Sequence, residues 1–409
     1  MSSITLFHGT FCNENEVVRQ LLKKTDYTLV TDKNLIGEAS RLSGLSEDKV
    51  GRALSAKTSV FNTFTHEWER SIASLKLALA ERLQRDNNLL ILGFAGLLIP
   101  MRISHVLRVC LVAGIKFRKH LAKQQDGLSE KESTALIRQE DMDRSKWIDT
   151  IFGKADPWDT SLYDIVIPVD KKSEEEVVEL ITANLNSKPL NPTKASQKAV
   201  DDFLLAGKVE VALAREGHSV EVNANNGNVT LTINKHVLML RRLEDDLQSI
   251  VKKVEGVISV ETTVGKNYYK TDIYRKYDFD MPSKVLLVDD EHQFVETLSE
   301  RLIIRDIGSA VAYDGQSALD LIAEDEPEVM ILDLKMPGID GIEVLRRVKA
   351  TRPEIEVIIL TGHGSEVDKD VCMKLGAFAY LNKPVNIDLL SDTLRKANEA
   401  IKQKTAKKK

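Results

Sequence analysis

The chain has 409 residues, 43% hydrophobic and 29% charged, with a formal net charge of -5. That balance describes an ordinary folded polypeptide, and the length suggests about two to four domains. So small a net charge excludes a global electrostatic drive towards nucleic acid or an anionic membrane.

Cys12, Cys110 and Cys372 lie far apart, without a CxxC pair or a histidine spacing that would hold zinc. They fit a reducing compartment. The opening MSSITLFHGT has no charged region followed by a long apolar one, so no signal peptide is expected. The longest apolar run, residues 89–100, is too short to span a bilayer and reads as a buried strand entering a turn. A soluble, cytoplasmic protein without membrane contact is expected. The basic tail over 402–409 reads as a solvated helix end.

Along the chain, a strand over 3–7 precedes a helix over 17–24 with Val17, Val18, Leu21 and Leu22 at helical spacing. Further strands are predicted over 89–93, 106–112 and 163–169, each followed by a helix-like stretch, which implies a parallel sheet covered on both faces. Residues 186–194 carry two prolines and read as a linker. Next come a helix over 200–216 and strands over 219–223 and 228–233 around the hairpin pair Asn226-Gly227. A helix over 238–254 and a strand over 257–264 complete the order α-β-β-α-β. A polar, tyrosine-rich bridge over 266–282 leads to regular alternation, with strands over 285–288, 307–312, 329–332, 357–360 and 378–381. Five βα units predict a flavodoxin-like doubly wound sheet.

In such a sheet, functional groups gather beyond the carboxyl ends of the strands. Those ends carry Asp289 and Asp290, Asp333, Thr361 and Lys383. Three crowded carboxylates call for a cation, and oxygen ligands with open positions suit Mg²⁺. Lys383 and Thr361 would hold phosphoryl oxygens, and Asp333 would be the nucleophile that forms an acyl phosphate.

VLLVDDE (285–291), ILDLKMPGIDG (331–341), ILTGHG (359–364) and AYLNKPV (379–385) resemble, in order, the signature blocks of response-regulator receiver domains. The resemblance implies that Asp290, Asp333 and the Lys335 backbone carbonyl bind the metal, with Asp289 close by. It makes Thr361 and Tyr380 the switch pair, and places Lys335 and His363 where they would limit water access to the acyl phosphate. It also implies a sensor histidine kinase or phosphotransfer protein as donor, with homodimerisation through the receiver left open.

Upstream, ITLFHGTF, LLILGFAGLLI, LRVCLVAGIKFR, GLSEKESTALIRQEDMDRSKWI and DPWDTSLYDIVIPVD resemble the cytidylate kinase-like family. The family's glycine-rich loop falls on Phe11, Cys12, Asn13 and Glu14, and the arginine usual after the second glycine is Phe94. Arg118, Arg138, Asp141 and Arg144 remain as candidate nucleotide contacts. From spacing alone, Asp141 and Arg144 also read as a surface ion pair at i,i+3. Residues 195–266 resemble a BON domain, with NGNVTLTI and VEGVISVETTV in place.

The expected domains are therefore a P-loop-kinase-like parallel α/β domain with a degenerate phosphate loop (1–187), the small α-β-β-α-β domain (195–266) and the receiver (282–405). The expected function is a two-component phosphorelay response regulator whose upstream domains act through protein or ligand interactions. A receiver-regulated CMP or dCMP kinase is the alternative. No helix-turn-helix is evident, so DNA binding is not expected.

Overall fold

The computed structural model describes residues 2–55, 66–235, 240–265, 268, 281–282, 284–303, 307–362 and 364–408. Most of the bridge over 266–282 lies outside them, as does His363. The chain divides into two compact units, Met1–Thr58 with Glu67–Tyr274, and Ser59–His66 with Arg275–Lys409.

The first unit holds a parallel sheet of β1 (Ser3–His8), β2 (Thr28–Thr31), β3 (Leu89–Leu92), β4 (Val106–Val112) and β5 (Ile165–Pro168), in the order β2-β3-β1-β4-β5. Central β1 shows why its apolar run forms a strand. Ile4 and Leu6 enter one core, and Phe7 enters the core on the opposite face. Such two-sided burial is characteristic of parallel sheets. The sequence reading missed β2, because TLVT is four residues long and buries only Val30.

Residues 186–194 do not behave as a free linker. A 3-10 turn spans Lys188–Leu190, and the Ser2 hydroxyl donates to the buried Leu190 carbonyl at 2.6 Å. The next helix begins at Lys194 rather than 200, because Thr193 and Ser196 form a reciprocal N-terminal cap. This helix, Lys194–Arg215, is apolar on two stripes. Ala199, Val200, Phe203 and Leu204 join the core that holds Phe7, while Leu205, Val209 and Leu213 cover a small second sheet.

That sheet pairs β6 (Glu221–Asn225) antiparallel with β7 (Asn228–Ile233), and β7 parallel with β8 (Ser259–Val264). With the helix Leu240–Val251 it has the expected α-β-β-α-β order. Asn226 (φ 56) and Gly227 (φ 80) are both left-handed, as a tight type I′ hairpin requires. A Cβ at 227 would also lie 2.7 Å from Ile258. Gly227→Ala is therefore expected to cost about 1–3 kcal/mol, read as a lower denaturant midpoint for the first unit.

The second unit orders β9 (Val285–Val288), β10 (Ser309–Ala312), β11 (Val329–Leu332), β12 (Glu356–Thr361) and β13 (Ala379–Asn382) as β10-β9-β11-β12-β13, all parallel. This is the flavodoxin-like order. Leu286 and Val288 of β9 face one core while Val285 and Leu287 face the other. The strand order reverses between β9 and β11, and the crevice at their carboxyl ends is where the acidic residues emerge. The basic tail continues the last helix, Ile387–Lys408, and Lys404 is bonded to the buried Glu356 carboxylate. That lysine is therefore anchored rather than simply solvated.

Candidate functional site

Asp289 leaves β9 and Asp333 leaves β11, and they are only 4% and 6% exposed. With Asp290 they place one carboxylate oxygen each within 4.8 Å of one another. Lys383, just beyond β13, brings its ammonium 2.6 Å from Asp289 Oδ2 and 3.9 Å from Asp333 Oδ2. The predicted constellation is thus assembled from the ends of three strands, with the buried Thr361 at the end of a fourth. Lys335 lies exposed two residues past Asp333, and Tyr380 is half-buried on β13.

Burial pushes the Asp289 carboxyl up, against the Lys383 ammonium and the Glu291 N–H that Oδ1 accepts at 3.0 Å. Partial burial works against the Lys383 charge. The bond to Asp289 and the charges of Asp289 and Asp333 outweigh it and raise the ammonium pKa.

Two partners of Lys383 went unread in the sequence. Glu291 approaches at 3.1 Å, and the Phe294 ring centroid lies 4.4 Å from the ammonium. Glu291 belongs to the VLLVDDE block and was in plain view. Phe294 had no signal beyond its place on a helix. His292 stacks on Tyr313 with ring centroids 3.8 Å apart.

The donor set suits a hard cation: oxygen ligands, one of them Asp333 Oδ1, which is buried without any hydrogen-bond partner. A buried carboxylate oxygen left unpaired is costly, and a cation or a phosphoryl group would satisfy it.

Residues 285–395 match the family model of the response regulator receiver domain. This segment is a response regulator receiver domain. Response regulator MprA of Mycolicibacterium vanbaalenii is 36% identical over 115 residues, which are 28% of this chain and 50% of that protein. The chain thus spans about half the length of the curated relative it matches. Among solved structures, a receiver domain protein from Clostridium thermocellum is 35% identical over 29% of this chain and 97% of its own, with a TM-score of 0.29. The receiver domain of Francisella response regulator 1452 is 32% identical over 29% of this chain and 98% of its own, with a TM-score of 0.28. No helix among the described residues is long and apolar enough to cross a membrane.

Ahead of the receiver domain, residues 3–171 match the cytidylate kinase-like family model. Their sheet also has a crevice, beyond β1 and β4, and it collects three of the four predicted contacts. Arg118 donates from Nε to the Thr10 carbonyl at 2.7 Å and grips Asp141 with both terminal nitrogens at 2.7 and 2.8 Å. Arg144 donates to the His8 carbonyl and to Glu140 Oε2, both at 3.0 Å. The pair expected between Asp141 and Arg144 does not form. Asp141 turns to Arg118 instead, and Arg144 takes the acid one turn earlier at i,i+4. Arg138 is exposed beside Glu130 and Lys131 in a shallow depression.

The first turn keeps left-handed residues without glycine, Phe11 at φ 58 and Asn13 at φ 57. Asn13 donates to Glu174 at 2.7 Å. After β3, the amides of Phe94 and Ala95 converge on the Asp32 carboxylate at 2.9 and 3.0 Å. Burial pushes that carboxyl up to about 6, against these two bonds. The folded chain then holds a proton that the unfolded chain releases. This group's contribution to stability is full below the unfolded value of 3.8 and is lost as pH rises through about 6. Melting temperature is expected to carry that decline in the wild-type protein and to lack it in Asp32→Asn.

Proposed function

We propose that the chain is a two-component response regulator that accepts a phosphoryl group on Asp333 from a sensor histidine kinase or phosphotransfer protein. The observation that carries this reading is the meeting of Asp289, Asp290, Asp333 and Lys383 at one sheet crevice. A carboxylate oxygen of Asp333 attacks phosphorus, the donor's P–N bond breaks, and the imidazole leaves with that electron pair and is reprotonated. Lys383 holds a phosphoryl oxygen by charge, and Thr361 offers its hydroxyl to another. Asp289, Asp290, Asp333 and the Lys335 carbonyl would hold Mg²⁺, which when bound neutralises charge between carboxylates and phosphoryl oxygens. Lys335 and His363 limit the approach of water to the acyl phosphate.

Signalling passes through protein or ligand interactions of two upstream domains, 1–187 and 195–266, with the receiver over 282–405 and the middle one BON-like. In the kinase-like domain the buried groups that would meet phosphate already hold carboxylates of the chain itself: Arg118 has Asp141, Arg144 has Glu140, and the Phe94 and Ala95 amides have Asp32, while Arg138 is exposed. This favours a binding or regulatory domain over a CMP kinase. A cytoplasmic location fits both readings.

Purified protein melted with Mg²⁺ alone and with Mg²⁺ plus beryllofluoride tests the receiver. Ligand at about 100 times its Kd adds about 2.7 kcal/mol, a shift of several degrees. No shift would overturn the reading. A coupled assay with ATP and CMP tests the alternative, and turnover that vanishes in Arg144→Ala would establish it.

A further inference from the structure

Tyr380 lies on β13 opposite Ile359 of β12, so its backbone is fixed by the sheet. Its side chain packs against the core that holds Cys372 and Val357, and its hydroxyl is buried without a hydrogen-bond partner. The space it fills exists because residue 364 has no side chain. A Cβ on Gly364 would lie 1.5 Å from Tyr380 Oη, 2.9 Å from its Cζ and 2.9 Å from Thr361 Cγ2.

The backbone at 364 does not itself demand glycine, since Gly364 is not among the residues with positive φ. The residues Thr361 and Ser365 on either side are held in place. Thr361 pairs with Asn382 on one side. On the other, Ser365 caps the helix Glu366–Lys374, its N–H donating to Asp368 Oδ2 at 2.9 Å while its hydroxyl accepts from the Asp368 N–H at 3.2 Å. An added methyl group would meet the tyrosine hydroxyl most closely, and that is the far end of a flexible side chain.

We propose that Gly364 is a positioning residue that admits the Tyr380 ring to its inward place, so that side-chain size at 364 decides whether the tyrosine can occupy it. This rests on the two-component reading only for its consequence. With the inward place closed, Tyr380 would no longer report phosphorylation at Asp333. The buried, unpaired hydroxyl makes the inward place costly, so a modest steric change suffices to empty it.

The full chain carrying 3-fluorotyrosine tests this by fluorine NMR, with the Tyr380 signal assigned from Tyr380→Phe and its exposure read from the shift between H₂O and D₂O. Wild-type protein is expected to give a protected Tyr380 signal, and Gly364→Ala an exposed one. Phosphorylation from acetyl phosphate is followed in the wild type, since a Cβ at 364 would also press on Thr361 Cγ2, 2.9 Å away. An exposed Tyr380 in the wild type, or a protected one in Gly364→Ala, overturns the proposal. If Gly364→Ala does not fold, the double variant with Tyr380→Ala decides. Recovery of folding places the clash at the tyrosine and supports the proposal, whereas continued failure means that the loop itself needs glycine and overturns it. Loss of phosphorylation in the wild type would instead remove the two-component reading and leave the steric result standing.

Discussion

Asp333→Asn is expected to lower phosphoryl incorporation from acetyl phosphate by about a thousandfold or more, the scale on which removal of a covalent nucleophile acts. The substitution keeps the shape of the side chain and replaces the anionic carboxylate with a neutral amide, whose oxygen is a far weaker nucleophile. Asp289 is the nearest competing carboxylate to Lys383, but its Oδ2 is already held by the ammonium at 2.6 Å and its Oδ1 by the Glu291 N–H at 3.0 Å. Asp333 Oδ1 has no such partner. The two acids thus differ in availability as well as position. The measurement is acid-stable, hydroxylamine-labile label on the intact chain. Incorporation in Asp333→Asn at a wild-type rate would move the phosphoacceptor elsewhere.

The largest expected loss of stability comes from Trp147→Ala in the first unit, at about 3–5 kcal/mol. Trp147 is 1% exposed, and its Nε1–H donates to the Ala53 carbonyl at 2.8 Å. Its ring meets Phe94 edge-on with centroids 5.1 Å apart, and Phe152 at 6.2 Å. Truncation removes the aromatic contacts and leaves a buried carbonyl without its donor, so the two penalties add. Trp147→Phe should recover part of the loss by restoring ring contact without the N–H. Urea unfolding of the three proteins checks the order, and an alanine variant within about 1 kcal/mol of wild type would contradict the burial argument.

Phe94 also shows why the kinase-like segment read differently in sequence and in space. As a sequence position it marks a missing arginine. In the structure its ring lies 5.8 Å from the Arg144 guanidinium and packs against Trp147 and Phe7. The pairing of Glu140 with Arg144 had a visible signal in their i,i+4 spacing on one helix. The pairing of Arg118 with Asp141, 23 residues apart, and of Asp32 with the amides after β3, more than 60 residues away, had none.

The sequence by itself determined the alternation of strands and helices in the receiver domain, the Asn226-Gly227 hairpin and the acids and lysine at the strand ends. Each follows from a short-range rule: short apolar runs buried on both faces, left-handed turn residues, or the exit of functional groups at the carboxyl edge of a parallel sheet. Only the tertiary structure decided which carboxylate meets which cation, that the helix Lys194–Arg215 serves two cores, and that Gly364 makes room for Tyr380. Those outcomes depend on where separate elements pack, and close packing is set by side-chain volumes contributed from distant parts of the chain.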